Sequence, residues 1–205
     1  MEHGRFYFIT GGARSGKSAY AELLASALER AVTYVATAEA GDAEMKERIA
    51  RHRRRRPASW TTIEEPRAVA GLLERIGQQE GTILIDCLTL LITNLIYHDW
   101  PLQPAGASTG VLPPGVTEQI EDRVTAEVRR LVEAACSSRA QVILVSNEVG
   151  LGLVPASPEA RLFRDLAGWA NQAMAARADR ALMIVSGLAL DLKVLHCDPR
   201  QTVFG

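Results

Sequence analysis

The sequence predicts an α/β fold, a mostly parallel central sheet with helices on both faces. Short apolar runs rich in Val, Ile and aromatic residues recur along the chain, helical patterns separate them, and most of the runs do not alternate with polar residues. A strand buried on both faces reads this way, as in a parallel sheet covered by helices. The 205 residues amount to one domain's worth of chain and contain no internal repeat, so residues 1–205 are expected to form a single domain.

The predicted strands are Phe6–Thr10, Val32–Thr37, Ile83–Asp86, Gln141–Ser146 and Ala181–Ser186, with a short last one near Lys193–His196 and Trp60–Glu64 as a candidate edge strand. A helix over Ser18–Arg30 carries Leu23, Leu24, Ala27 and Leu28 at helical spacing. Another, over Thr117–Ser137, lines up Ile120, Val124, Val128, Leu131 and Ala135, with Glu118, Glu121 and Asp122 near its start, where the helix dipole favours acids. Ser157-Pro158-Glu159 is a helix start, with serine as N-cap and proline at the first helical position. The helix it opens should bury Leu162, Leu166, Trp169 and Ala173. Segment 101–117 holds four of the nine prolines and is expected to be a loop insertion, either a plain surface connection or a lid or subunit contact.

Composition narrows the function classes. Hydrophobic residues are 47% and charged residues 23%, which excludes a disordered or fibrous chain. Basic minus acidic residues is 23 − 24 = −1, which argues against bulk attraction to nucleic acid or membrane. Cys87, Cys136 and Cys197 are odd in number, far apart and without a CxxC pair, so neither a disulfide framework nor a zinc site is expected and a reducing compartment fits. MEHGRFYFIT lacks the features of a signal peptide, and the greasiest stretch, 83–97, contains Asp86 and Asn94 and is too short to span a bilayer. A cytoplasmic protein is expected.

Gly11-Gly12-Ala13-Arg14-Ser15-Gly16-Lys17-Ser18 matches G-x-x-x-x-G-K-[ST] in full, between an apolar strand and an amphipathic helix. Glycines let the backbone wrap a phosphate closely and turn its N–H groups inward, and the helix N-terminus adds partial positive charge. Lys17 should reach the β and γ phosphates, and the Ser18 hydroxyl should bind Mg2+. The partner acid is expected at the end of another buried strand. Thr82-Ile83-Leu84-Ile85-Asp86 supplies it, with Asp86 holding Mg2+ directly or through water, or positioning a nucleophile.

From Asp42 to Pro57 a second unusual segment reads as a helix capped by Asp42, with Met45, Ile49 and His52 on one face and Pro57 ending it. Seven of the 23 basic residues lie between Lys46 and Arg56, a strong local anion site in a chain of near-zero net charge. It reads as a solvated charged face, a nucleic-acid contact or a phosphate clamp. The second lacks interleaved aromatics to stack bases. On the third, His52 stands out. Surrounding cations disfavour imidazolium, a neutral imidazole is nucleophilic, and nearby guanidiniums would stabilise charge on a phosphate under attack. A lone histidine can equally be structural.

Together, FITGGARSGKS, YVATAEAGDAEMKERIARHRRRRP, WTTIEEP, ILIDCLTLLITNL and the stretch from VSNEVGLGLVPASPEARLFRDLAGWANQ to IVSGLALDLK resemble the bifunctional adenosylcobinamide kinase / adenosylcobinamide-phosphate guanylyltransferase family of cobalamin biosynthesis. The arginine-histidine segment and the NEVGLGLVP stretch are the specific parts, since the phosphate loop is shared by many NTPases. The resemblance implies a RecA-like P-loop fold, usually trimeric. It also implies two reactions: phosphorylation of adenosylcobinamide by ATP or GTP, then transfer of GMP from GTP to adenosylcobinamide phosphate through a GMP–histidine intermediate at the position of His52. Nucleotide contacts would fall on Gly11–Ser18, Ala36, Thr37, Ala38, Arg53, Arg54, Arg55, Arg56, Glu64 and Asp86. Where some members carry a second histidine beside the nucleophile, this chain has Arg51. Both motifs are intact, so both activities are expected. A P-loop kinase for another small hydroxyl substrate is the rival enzyme reading, and a RecA-like ATPase acting on nucleic acid is the rival of a different class.

Overall fold

The computed structural model describes residues 4–39, 47, 53, 54, 56–98 and 115–198. Seven strands, β1 (Phe6–Gly11), β2 (Val32–Ala36), β3 (Thr61–Glu64), β4 (Thr82–Asp86), β5 (Gln141–Val145), β6 (Arg180–Val185) and β7 (Leu188–Asp191), form one sheet in the order β3-β2-β4-β5-β1-β6-β7. Every pairing is parallel except β6 with β7. The described helices are α1 (Lys17–Ala27), α2 (Val69–Ile76), α3 (Leu88–Ile96), α4 (Val116–Ser137), α5 (Pro158–Arg177) and the single turn α6 (Leu192–Leu195). One strand, β5, is inserted between the strand that leads into the phosphate loop and the strand that ends in Asp86, the RecA-like P-loop arrangement that was expected.

The apolar runs lack polar alternation because both faces of the sheet are covered. Along β1, Phe6 and Phe8 enter the core beneath α2–α5, whereas Tyr7 and Ile9 enter the core beneath α1. The same two-residue alternation sends Ile83 and Ile85 of β4 to the first core and Leu84 to the second, and Val142 and Leu144 of β5 oppose Ile143 in the same way. Full burial of each such side chain contributes about 1.5–3 kcal/mol. The five long predicted strands and the edge strand match to within a residue or two at their ends.

Three expectations are corrected. The segment near Lys193–His196 is not a strand. Ser186 and Gly187 have φ of 51° and 83°, the two left-handed residues of a tight hairpin turn, so the chain reverses at once and Leu188–Asp191 pairs with β6. The Asp191 side chain then accepts from the Lys193 backbone N–H at 3.0 Å and starts a helical turn. In α1, Leu24 and Leu28 pack against the core as expected, but Leu23 is 71% exposed and Ala27 faces outward, and the fully buried face is Lys17, Ala21 and Ala25, whose alanines let the helix approach β1, β5 and β4 closely. In α5, Leu162 and Leu166 are buried as expected, but Trp169 and Ala173 are only half-buried at the rim of the core.

Helix ends follow their signals where a local signal exists. Ser157 accepts from the Ala160 N–H at 3.3 Å, with Pro158 at the first helical position. Ala68, at the α2 N-cap position, has no side chain to cap with, and the N-terminal donors are taken by one acid close in the chain and one distant. Glu65 accepts from Ala68 N, and Glu127, projecting from α4, accepts from Ala70 N, both at 2.8 Å. Burial pushes the Glu127 carboxyl above the ordinary carboxylate range, against the pull of that backbone bond and of Arg130.

Candidate active site

The C-terminal ends of the parallel strands, where ligands of open α/β sheets bind, carry most of the predicted residues. The register puts Glu64, Ala36, Asp86, Val145 and Ile9 in one row across five neighbouring strands. Gly11 ends β1 and the phosphate loop runs on to Lys17, the first residue of α1.

The loop is shaped by close approach. A Cβ on Gly11 would lie 2.5 Å from the Ile184 carbonyl oxygen and 2.7 Å from Ser15 Oγ, so no other residue fits there unchanged. The Gly187 N–H at the β6–β7 turn donates to the Ser15 carbonyl at 2.8 Å, and the Glu148 N–H donates to the Gly11 carbonyl at 3.0 Å, so the loop is held from both flanking strands. Lys17 is buried and its ammonium donates to the Gly12 carbonyl at 3.1 Å. Ser15 Oγ is buried without a hydrogen-bond partner among the described residues, and Ser18 stands in the first turn of α1.

Side-chain alternation decides which face of the sheet the rest of the site occupies. Leu84, Tyr34 and Ala36 point to the α1 side, so Asp86, two residues beyond Leu84, does too. The Tyr34 hydroxyl donates to Asp86 Oδ2 at 2.9 Å, and the Arg56 guanidinium lies over the Tyr34 ring with its carbon 3.3 Å from the centroid. One face and one end of the sheet therefore gather the phosphate-loop helix, the β4 carboxylate and an arginine of the basic segment. Burial, reinforced by the Asp86 charge, raises the Tyr34 phenol well above its usual range, so it stays a donor. Burial and Asp86 likewise push the Cys87 thiol up to about 11, which leaves it an inert neutral group beside the site.

Thr37 is fully buried, and its side chain is engaged in holding β2 to β4: Oγ1 donates to the Cys87 carbonyl at 2.8 Å and accepts from the Cys87 N–H at 2.7 Å. Ala36 ends β2, Ala38 is half-exposed just beyond it, and Glu64 is exposed at the end of β3. Arg53 and Arg54 are exposed, and the Arg56 N–H donates to the Arg53 carbonyl at 3.3 Å. His52, Arg55, Arg51 and most of the predicted Asp42–Arg56 helix lie outside the described residues, as does 101–114 of the loop insertion.

Sequence reasoning did not single out Tyr34. Its signal was a tyrosine inside an otherwise apolar buried strand, whose hydroxyl must find a partner. A polar network behind the site was also missed. Ser146 donates to Asn171 Oδ1 at 2.6 Å, Asn171 to the Asn147 carbonyl at 3.0 Å, and Asn147 to Thr89 Oγ1 at 2.7 Å. Asn94, the odd residue in the greasy stretch, donates to the Thr37 carbonyl at 2.7 Å and the Pro66 carbonyl at 2.9 Å.

The donor set suits a hard cation. Ser18 offers a hydroxyl and Asp86 a carboxylate with one oxygen already oriented by Tyr34. Among the described residues no three His, Cys, Asp or Glu side chains gather into a metal cage, so a magnesium ion here would take one or two protein oxygens and draw the others from phosphate and water.

Comparison with known proteins places this geometry in context. The family model for cobinamide kinase / cobinamide phosphate guanyltransferase matches residues 7–192. The bifunctional adenosylcobalamin biosynthesis protein CobP of Pseudomonas aeruginosa is 44% identical over 185 residues, covering 90% of this chain and 95% of the relative. The bifunctional adenosylcobalamin biosynthesis proteins CobU of Salmonella typhimurium and Escherichia coli are 38% and 36% identical over 187 and 193 residues, each covering 90% of this chain and 98% of the relative.

Proposed function

The chain belongs to the cobinamide kinase / cobinamide phosphate guanyltransferase family, and from that premise we propose that it carries out both reactions of a bifunctional enzyme of cobalamin biosynthesis. In the first, the hydroxyl of the aminopropanol arm of adenosylcobinamide attacks the γ-phosphate of ATP or GTP, giving adenosylcobinamide phosphate and the nucleoside diphosphate. In the second, a His52 nitrogen attacks the α-phosphate of GTP and pyrophosphate leaves. The phosphate of adenosylcobinamide phosphate then displaces the histidine, forming adenosylcobinamide-GDP and restoring free imidazole.

The observation that carries this reading is the convergence of the phosphate loop, Asp86 and Arg56 at one end and one face of the sheet. Gly11–Ser18 wraps the phosphate chain with main-chain N–H groups and the start of α1. The Lys17 ammonium exchanges its Gly12 carbonyl partner for β and γ oxygens and carries part of the developing charge. Ser18 and Asp86 hold Mg2+, which neutralises phosphate charge when bound. Arg53, Arg54, Arg55 and Arg56 shield the triphosphate so that a nucleophile can approach it. Ala36, Thr37, Ala38 and Glu64 form the wall along β2 and β3, with Thr37 as its tie, since its hydroxyl is bonded to Cys87, its N–H to the Asp86 carbonyl and its carbonyl to Asn94.

Dividing guanylyl transfer at a covalent histidine replaces one hard displacement by two easier ones. Cys87, Cys136 and Cys197 are free thiols, which supports a cytoplasmic setting. No helix among the described residues is long and apolar enough to cross a membrane. The family resemblance implies a trimer, and Leu188 of β7 with Val194 and Leu195 of α6 offer exposed apolar surface for self-association.

The test is GTP labelled in the α-phosphate, incubated with the protein and Mg2+ and then denatured. The expected result is an acid-labile, base-stable label on the protein that is absent from His52→Ala. Active protein without an adduct would point to the rival small-substrate kinase, and hydrolysis stimulated by DNA would point to the motor class.

A further inference from the structure

We propose that Tyr34 is a positioning residue for nucleotide binding, its ring serving as the platform that holds the Arg56 guanidinium at the phosphate end of the site; the proposal rests on the reading that Arg56 serves the nucleotide. Three observations meet here. The Arg56 carbon lies 3.3 Å from the ring centroid, a distance only a face-on stack allows, since an edge-on approach would overlap the ring atoms. The ring itself cannot shift, because Tyr34 is 2% exposed within the α1-side core and its hydroxyl is fixed to Asp86 Oδ2 at 2.9 Å. Arg56 Nε is buried without a hydrogen-bond partner among the described residues, so among them it is the ring face, and not a hydrogen bond from Nε, that holds this part of the guanidinium.

A phenylalanine, valine or isoleucine would fill the same strand position. Valine and isoleucine lack a face for the cation, and phenylalanine lacks the hydroxyl that sets the ring's height against the carboxylate that ends β4. The arginine-rich segment is thereby tied to the sheet end at Arg56, four residues along the chain from His52. Tyr34 touches no reacting atom in this scheme and acts through Arg56.

The experiment is calorimetric binding of GTP in EDTA, which reads affinity without metal and without turnover. Tyr34→Phe keeps the ring and is expected to bind within about threefold of wild type. Arg56→Met and Tyr34→Leu are each expected to weaken binding about tenfold, the worth of a desolvated cation–π pair, and the double variant no further. Because Tyr34→Leu opens a core position, the second measurement changes only the ring's electron density: phenylalanines bearing one, two and three fluorines at position 34. Affinity should fall stepwise with fluorine number in the wild-type background and stay flat in Arg56→Met. Additive losses in the double variant, a flat fluorine series with Arg56 present, or wild-type affinity in Arg56→Met would overturn the proposal. A missing guanylylated protein would sink the two-step reaction and leave this binding cycle standing, so the two failures are distinguishable.

Discussion

Replacing Asn94 with leucine tests how the sheet end that carries the site is held together. Asn94 Nδ2 gives two hydrogen bonds, at 2.7 Å to the Thr37 carbonyl just beyond β2 and at 2.9 Å to the Pro66 carbonyl just beyond β3. Asn94→Leu removes both and leaves the carbonyls of buried Thr37 and half-buried Pro66 without that donor, at about 1–3 kcal/mol each if water does not replace it. Leucine is nearly the same size and position 94 is half-buried, so added apolar burial offsets about 1 kcal/mol. The net expectation is a loss of about 3 kcal/mol, or about 150-fold in the folding equilibrium. Equilibrium urea unfolding reads it directly, with an unchanged slope showing that the same surface is exposed. GTP affinity should fall as well, because Thr37 also locks Cys87 and so the strand end at Asp86. A variant as stable as wild type, or more so, would refute the reasoning. Asn94 would then be a tolerated polar residue and not the tie between α3 and the ends of β2 and β3.

Lys17→Met keeps the aliphatic stem of a buried side chain and removes its charge, so the fold should survive while phosphoryl transfer falls about 100-fold or more, measured as the rate of ATP-dependent cobinamide phosphorylation. Glu127→Gln retains an acceptor for the Ala70 N–H without a buried charge. The folded carboxyl is raised above its unfolded value, so its stabilising share is present at low pH and lost as pH rises through the folded value. The stability of Glu127→Gln relative to wild type should therefore increase between pH 4 and pH 7 in paired thermal melts, and a difference independent of pH would contradict the assignment.

The strands were legible in the sequence because a parallel sheet buried on both sides leaves nothing charged between its ends, and VTYVA and TILID can hardly be read otherwise. The phosphate loop was legible because its function is local: eight consecutive residues shape their own backbone around an anion. The α5 cap at Ser157 was legible for the same reason, and half of the α2 cap was not, since Glu127 reaches Ala70 across 57 residues of chain. Pattern alone caught only part of the α1 face, where Ala21 and Ala25 lie against the sheet, Leu24 and Leu28 pack beside them, and Leu23 and Ala27 face outward.

What tertiary structure decided is which face and which neighbours. A two-residue period says that Tyr34 and Val35 point opposite ways, but only strand order and helix placement say that Tyr34 shares the α1 face with Asp86, 52 residues away. The hydroxyl-to-carboxylate bond, the guanidinium on the ring and the Asn94 ties all join segments that are distant in the chain. Side-chain type and local spacing carry no information about such partners, because contacts between strands depend on how β2 and β4 come to lie side by side. The sequence by itself determined that a triphosphate can be cradled here; the packed sheet determined which carboxylate and which arginine share the cradle's side.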